Sequence, residues 1–243
     1  ELFMIMVLIM ATISGAILVL YATTLSKTVP NAVGHMIVAS LISLPAAVLI
    51  ARLMVPGDGS MSAEDADADL KYESIMDAVI KGTMEGMQLV LAVIAIIIVV
   101  FALVNLTDQL LALLPYVDAQ PVTLKRIFGW LFAPLMWSIG IPWDQAPAAG
   151  ALMGTKTILN EYVAYLDLAA LPADSFDARS KLIITYALCG VANLASVGLL
   201  VSTIATLAPT RRAEASALGM KSWVAGNMAS AMTGAVIGLV TLA

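Results

Sequence analysis

Apolar residues run through this chain in long stretches, and the polar residues that interrupt them recur near their centres. Leu2–Tyr21 is the first run and carries Thr12, Ser14 and Gly15 at mid-depth. Met36–Met54 is the second, with Pro45 in its middle. Leu89–Leu114 is the longest and contains Ile94, Ile96, Ile97, Ile98, Val99, Val100 and Phe101 in close succession. Leu182–Leu207 is apolar but broken by Gly190, Asn193, Ser196 and Gly198, and Ala213–Ala243 closes the chain. One bilayer crossing needs ~20 apolar residues. These runs therefore predict transmembrane helices, several with a weak or polar centre.

Two regions follow a different pattern. Between Ile75 and Gln88, apolar Ile75, Val79, Met84 and Met87 alternate with Asp77, Lys81 and Glu85. That predicts an amphipathic helix lying in the membrane interface. Residues 127–168 hold two half-length apolar pieces, Ile127–Ile141 and Ala148–Leu166, separated by Pro142, Trp143, Asp144 and Pro147. Neither piece spans cleanly, so the pair predicts a re-entrant helical hairpin, whose turn at membrane depth must be surrounded by protein or water. In the last helix, Gly226, Ser230, Gly234 and Gly238 recur every four residues on one face, a stripe that lets another helix approach closely.

The fold expected is an all-α integral membrane protein of about six transmembrane helices, one re-entrant hairpin and one interfacial helix. Four regions follow: 1–54, a broken helix and its successor; 55–88, an acidic loop and the interfacial helix; 89–114, a long scaffold or oligomerisation helix; and 115–243, with the hairpin, a second broken helix and the final helix. Ala11-Thr12-Ile13-Ser14 resembles Ala192-Asn193-Leu194-Ala195. Paired broken helices in two repeats are a transporter pattern, so the chain reads as half of an inverted-repeat core.

Composition agrees with a lipid environment. Of 243 residues, 61% are hydrophobic and 12% charged, and mean hydropathy is +0.97. A soluble domain commonly carries about 25% charged residues. The net charge of −5 reflects a local cluster, since Glu64, Asp65, Asp67, Asp69 and Glu73 all fall within 55–74. No basic face supports nucleic-acid binding. Lone Cys189 offers neither a disulfide framework nor a thiolate metal site, and lone His35 reads as an interfacial loop residue. The first residue is Glu, with no positively charged leader before the apolar run, which suggests a piece of a longer chain. Arg211, Arg212 and Lys221 mark one cytoplasmic candidate, a bias that Lys125, Arg126, Arg179 and Lys181 dilute.

The candidate chemistry lies in the polar residues within apolar runs. A carboxylate at membrane depth costs ~2.5–3.5 kcal/mol or more, so Glu161 faces either a cavity or a partner such as Lys156. Five residues is a poor spacing for a pair on one helix. Asn193 and Ser196 are three residues apart and share a helix face. With Glu161 they would form a polyhydroxyl-binding set, or they would hydrogen-bond neighbouring helices. Thr12, Ser14 and Gly15 could unwind a helix and present carbonyls and a hydroxyl to a small hard cation, or Thr12 could bond its own preceding turn. No Ser/His/Asp set, HExxH, P-loop or GxGxxG is present.

Several segments together resemble one family. Gly154-Thr155-Lys156-Thr157-Ile158-Leu159-Asn160-Glu161-Tyr162-Val163-Ala164-Tyr165 looks like the GTKxxxNEFxAY signature of concentrative nucleoside transporters. Tyr186-Ala187-Leu188-Cys189-Gly190-Val191-Ala192-Asn193-Leu194-Ala195-Ser196 resembles the family's YALCGFANFGS segment. Met10-Ala11-Thr12-Ile13-Ser14-Gly15 is similar to its Met-Ala-(Ser/Thr)-Ile-Ala-Gly segment, and Ala133-Pro134 with Gly140-Ile141-Pro142-Trp143 to the lead into its second hairpin. Pro209-Thr210-Arg211-Arg212 resembles the PxRR turn before the final helix. The likeness covers essentially the whole chain. Tyr162 stands where the family usually has Phe, Val191 replaces a Phe near the base, and Leu194-Ala195 replaces Phe-Gly.

The resemblance implies a cation-coupled nucleoside symporter of the inner membrane, multi-pass and homotrimeric, not an enzyme, with Na+ or a proton as coupling ion and no organic cofactor. Glu161, Asn193 and Ser196 would hold the ribose, with Asn160 beside them. Ile17 would be an apolar wall near the base. Thr12 and the Ile13 carbonyl would help bind sodium. The family's first hairpin, with its QTEAP-type segment, contacts the nucleobase and completes the sodium site; it would lie before residue 1. The implied mechanism is alternating access, in which coupling requires differential affinity between states, tenfold for each ~1.4 kcal/mol. Two other classes remain to be distinguished: a non-transporting gate or assembly module, and an intramembrane enzyme using Glu161 and Asp144.

Overall fold

A computed structural model describes residues 1–57, 73–117 and 120–241. Among these the regular structure is helical, without a strand. Most of the acidic loop expected over 55–74 lies outside the described residues.

The first apolar run forms two helices, α1 (Leu2–Ala11) and α2 (Gly15–Leu25). Thr12 and Ser14 between them are extended, as the polar centre of the run predicts. The second run forms α3 (Ala32–Met54), which carries Pro45 in its interior. His35 belongs to this helix rather than to a loop: its ring nitrogen Nδ1 lies 3.0 Å from the Tyr186 hydroxyl. The expected interfacial helix is not a separate element. Ile75–Leu111 is one helix of 37 residues, α4. The amphipathic and apolar segments differ in which faces are polar, but no Pro or competing cap interrupts the backbone ladder between them. At 1.5 Å per residue α4 is roughly 55 Å long, longer than a hydrocarbon core of ~30 Å.

Residues 124–170 give three short helices: α5 (Leu124–Ser138), α6 (Ala146–Ile158) and α7 (Glu161–Ala170). The second expected apolar piece therefore breaks at Leu159 and Asn160. α5 and α6 run antiparallel in close contact, because Gly129 and Gly150 leave no side chain between the backbones. A Cβ on Gly129 would lie 3.1 Å from the Pro147 carbonyl, and one on Gly150 would meet the Gly129 carbonyl. At 15, 13 and 10 residues, none of the three reaches the length of a crossing helix.

The fourth apolar run is also broken, into α8 (Ala178–Ala187) and α9 (Leu194–Leu207). A 3-10 turn, Pro209–Arg211, leads into α10 (Arg212–Val240). The small-residue stripe of α10 is packing surface. A Cβ on Gly226 would stand 2.5 Å from Met10 Cβ, and one on Gly234 would stand 3.0 Å from the Ile183 carbonyl. Arg179, at the start of α8, gathers loose ends: its guanidinium donates to the carbonyls of Gly140, Gly238 and Thr241. Gly140 itself has φ of 107°, a turn conformation open to glycine.

The core lies where the two broken helices meet α3, α6, α7 and α10. Its largest fully buried side chains include Tyr21, Tyr165, Tyr186 and Lys156. The outer faces are apolar: Leu41 is 61% exposed, Leu53 67% and Ile98 63%. Apolar surface on this scale needs lipid or another protein against it. By length and composition, Ala32–Met54 and Pro209–Val240 can each cross a membrane, among the described residues.

Candidate substrate site

Three helix N-termini meet at one cavity. Asn160 caps α7, its Oδ1 accepting from the Val163 backbone N–H at 2.9 Å. That cap places Glu161 in the first turn, where the partial positive charge of a helix N-terminus favours a carboxylate. Asn193 caps α9, its Oδ1 accepting from the Ser196 backbone N–H at 2.8 Å. Ser14 precedes α2, on which Ile17 and Tyr21 share a face by their i,i+4 spacing.

The Glu161 carboxylate is buried. Oε1 accepts from the Tyr21 hydroxyl at 2.5 Å, and Oε2 accepts from Asn193 Nδ2 at 3.1 Å. Each oxygen thus has one protein donor, and a carboxylate offers about four acceptor positions in all. The remaining capacity suits two further O–H donors, as a vicinal diol presents. Tyr21 is fixed by stacking on Tyr162, ring centroids 6.0 Å apart, and by a tilted contact with Tyr165 at 5.2 Å. Lys156 does not hydrogen-bond Glu161; its Nζ donates to Asn227 Oδ1 at 3.0 Å.

The cavity is about 450 Å³, within the range of small-molecule sites. Ile17, Asn160, Glu161, Asn193 and Ser196 all line it, so the five residues expected to hold substrate come together. Apolar Leu20, Ile97, Val191 and Leu199 line it as well. The cavity therefore offers polar groups suited to hydroxyls together with apolar surface suited to an apolar or aromatic body. Thr12 and Ile13 do not line it, although Ser14 beside them does. The Thr12 hydroxyl donates to the Leu8 carbonyl at 2.9 Å, which leaves its oxygen lone pairs for another partner. A threonine oxygen and a main-chain carbonyl are the hard donors that Na+ prefers.

Sequence reasoning missed Tyr21, whose only signal is its position four residues after Ile17. It also missed Asn227, which lies on the small-residue face of α10.

The model of the Na+-dependent nucleoside transporter C-terminus matches residues 35–238. The chain belongs to the concentrative nucleoside transporter family. Similar proteins include an uncharacterized transporter of Haemophilus influenzae, 36% identical over 98% of this chain, and the nucleoside permease NupC of Helicobacter pylori, 32% identical over 98%. The chain spans 58% and 57% of their lengths. The solved structure of the concentrative nucleoside transporter CNTnw in an inward-facing substrate-bound state superimposes with a TM-score of 0.78 at 35% identity, covering 99% of this chain and 57% of that one. These relatives are transporters and not enzymes, and they make this family member a membrane protein.

Proposed function

We propose that this chain is the ribose-holding part of a cation-coupled nucleoside symporter that works by alternating access as a multi-pass protein of the inner membrane. The observation that carries the reading is the Glu161 carboxylate, buried, held by Tyr21 and Asn193, and facing a cavity with Ser196 and Asn160. Glu161 accepts two ribose hydroxyls, Asn193 and Ser196 orient them, and Ile17 packs against the base. Thr12 and the Ile13 carbonyl contribute to a Na+ site in the first helix break. Cation binding there stabilises the state that binds nucleoside, and the gradient drives both inward.

In this reading 1–54 and 115–243 are the repeat elements of the transport core, 75–88 is the amphipathic first part of the long α4, and its apolar remainder serves as scaffold and contact surface of a homotrimer. Residues 124–170 form the re-entrant hairpin, since their helices are too short to cross. Lipid covers the apolar outer faces.

The test is Glu161→Gln in the full-length transporter. The amide keeps the shape but loses the charge and acceptor capacity, and hydrogen bonds to charged groups are worth ~1.5–3 kcal/mol each. Nucleoside uptake is expected to fall about a hundredfold or more with membrane insertion unchanged. Normal uptake by this variant rules out the ribose assignment.

A further inference from the structure

The site described above rests on Glu161 and Asn193 standing at a fixed distance, yet they belong to two separate breaks in the chain. One side chain outside the cavity joins those breaks. Asn227, buried on α10, uses both ends of its side-chain amide. Its Oδ1 accepts from Lys156 Nζ at 3.0 Å, in the last turn of α6. Its Nδ2 donates to the Ala192 carbonyl at 3.0 Å, in the α8–α9 break, and to the Trp223 carbonyl at 3.0 Å. An ammonium can only donate and a carbonyl can only accept, so the chemistry of the partners sets the orientation of the amide. The Thr157 hydroxyl lies 3.3 Å from the same Oδ1. Its single hydrogen is engaged by the Met153 carbonyl at 2.6 Å, which leaves Lys156 as the principal donor.

Asn227 therefore ties the last turn of α6, at Lys156 four residues before Asn160, to the peptide immediately before Asn193. One turn earlier on α10, Trp223 Nε1 lies 3.4 Å from the Thr157 carbonyl, a second and weaker tie on the same helix face. Lys156 is fully buried, and a buried ammonium that loses its hydrogen-bond partner is costly. The chain has reason to keep this junction closed.

We propose that Asn227 is a positioning residue of the substrate site: its amide holds the α6–α7 turn and the α8–α9 break in register, so that Glu161 and Asn193 meet the same pair of hydroxyls. The inference rests on the ribose reading above. Asn227 does not line the cavity. Its effect is on the recognition of hydroxyl groups and not on the apolar surface.

The experiment compares two ligands on the purified full-length transporter: whichever of uridine and adenosine binds the wild type more tightly, and its 2′,3′-dideoxy analogue. Asn227→Asp keeps the shape and the acceptor for Lys156 but removes the donor to Ala192. Asn227→Ser shortens the side chain and breaks both links. Both variants are expected to bind the nucleoside about tenfold more weakly while the affinity for the dideoxy analogue stays nearly constant, so discrimination between the two collapses. A variant in which both ligands weaken by the same factor, or neither weakens, overturns the proposal and leaves Asn227 a packing residue. A wild type that does not discriminate the two ligands overturns the ribose reading itself, and this inference with it. Asn227→Asp is isosteric, so it reports even if Asn227→Ser fails to fold.

Discussion

The two broken helices of this chain are alike in outline and opposite in how they are closed. In the α1–α2 break, Thr12 bonds its own preceding turn and Ser14 makes no side-chain cap to α2. Ser14 is exposed, and a Cβ on Gly15 would meet nothing within 4 Å among the described residues. In the α8–α9 break, Asn193 caps α9, reaches Glu161, and is preceded by an Ala192 carbonyl tied to Asn227. Gly190 there packs directly against the Met10 and Ala11 carbonyls and the Ser230 hydroxyl. The second break is thus closed by its own side chains, whereas the first keeps a Thr12 hydroxyl oxygen with lone pairs to spare. In the reading proposed above, the second serves the nucleoside and the first the cation. A break in a helix is a general means of exposing backbone polar groups; the neighbouring side chains decide what those groups bind.

The comparison can be tested by asking whether each break controls its own ligand. The largest effect is expected for Asn193→Ala, which removes a donor to Glu161 and the cap of α9 together. Nucleoside affinity should fall about thirtyfold, while Na+ affinity measured without nucleoside stays the same. A matching loss of Na+ affinity would erase the division of labour. Next is Thr12→Val, expected to raise the Na+ concentration for half-maximal uptake about tenfold. Nucleoside affinity at saturating Na+ should be unchanged. Uptake that follows pH and ignores Na+ would make the coupling ion a proton and remove Thr12 from that role.

Smaller effects sharpen the contrast in packing. Gly190→Ala forces a methyl group against two carbonyls and a hydroxyl and should cost about 1–3 kcal/mol, read as a lower unfolding temperature. Gly15→Ala, in the open break, should leave that temperature within about a degree or raise it, as a Gly-to-Ala change does where space allows. Equal losses would mean that both breaks are packed alike. The smallest effect concerns the start of α8, the helix that leads into the second break. Asp177 caps it, accepting from the Ser180 backbone N–H and hydroxyl. Partial burial pushes its carboxyl up, but these bonds and one from Gln145 outweigh that and hold it below the ordinary carboxylate range. A depressed folded-state value contributes stability that is present above the unfolded value, about 3.9, and is lost as pH falls through the folded one. Asp177→Ala should therefore cost about 1 kcal/mol at neutral pH. The gap to wild type should close as the pH drops below 4.

Much of the fold could be read from local pattern. Polar and glycine residues inside apolar runs marked both breaks, because such residues cannot continue a lipid-facing helix without a reason. The half-length pieces before and after Pro142 became short helices. The continuity of α4 was hidden because hydropathy changes near Gln88 while the backbone ladder does not. Hydropathy reports which faces are polar, not whether the ladder is intact. The helix end at Leu159 was hidden inside an apolar stretch, and only the Asn160 cap betrays it.

The sequence by itself determined that the chain is apolar and helical, that polar and glycine residues interrupt two of its apolar runs, and that Glu161, Asn193 and Ser196 stand among the polar residues inside those runs. These follow from composition and periodicity, which are properties of neighbours along the chain. Only the tertiary structure decided that Tyr21 donates to Glu161 across 140 residues and that Asn227 reaches Lys156 across 71. It also decided that His35 packs on Tyr186 within the core side of α3. Those pairings depend on where helices cross, and crossing points are set by the packing of glycine and alanine faces, which no local pattern of polarity encodes.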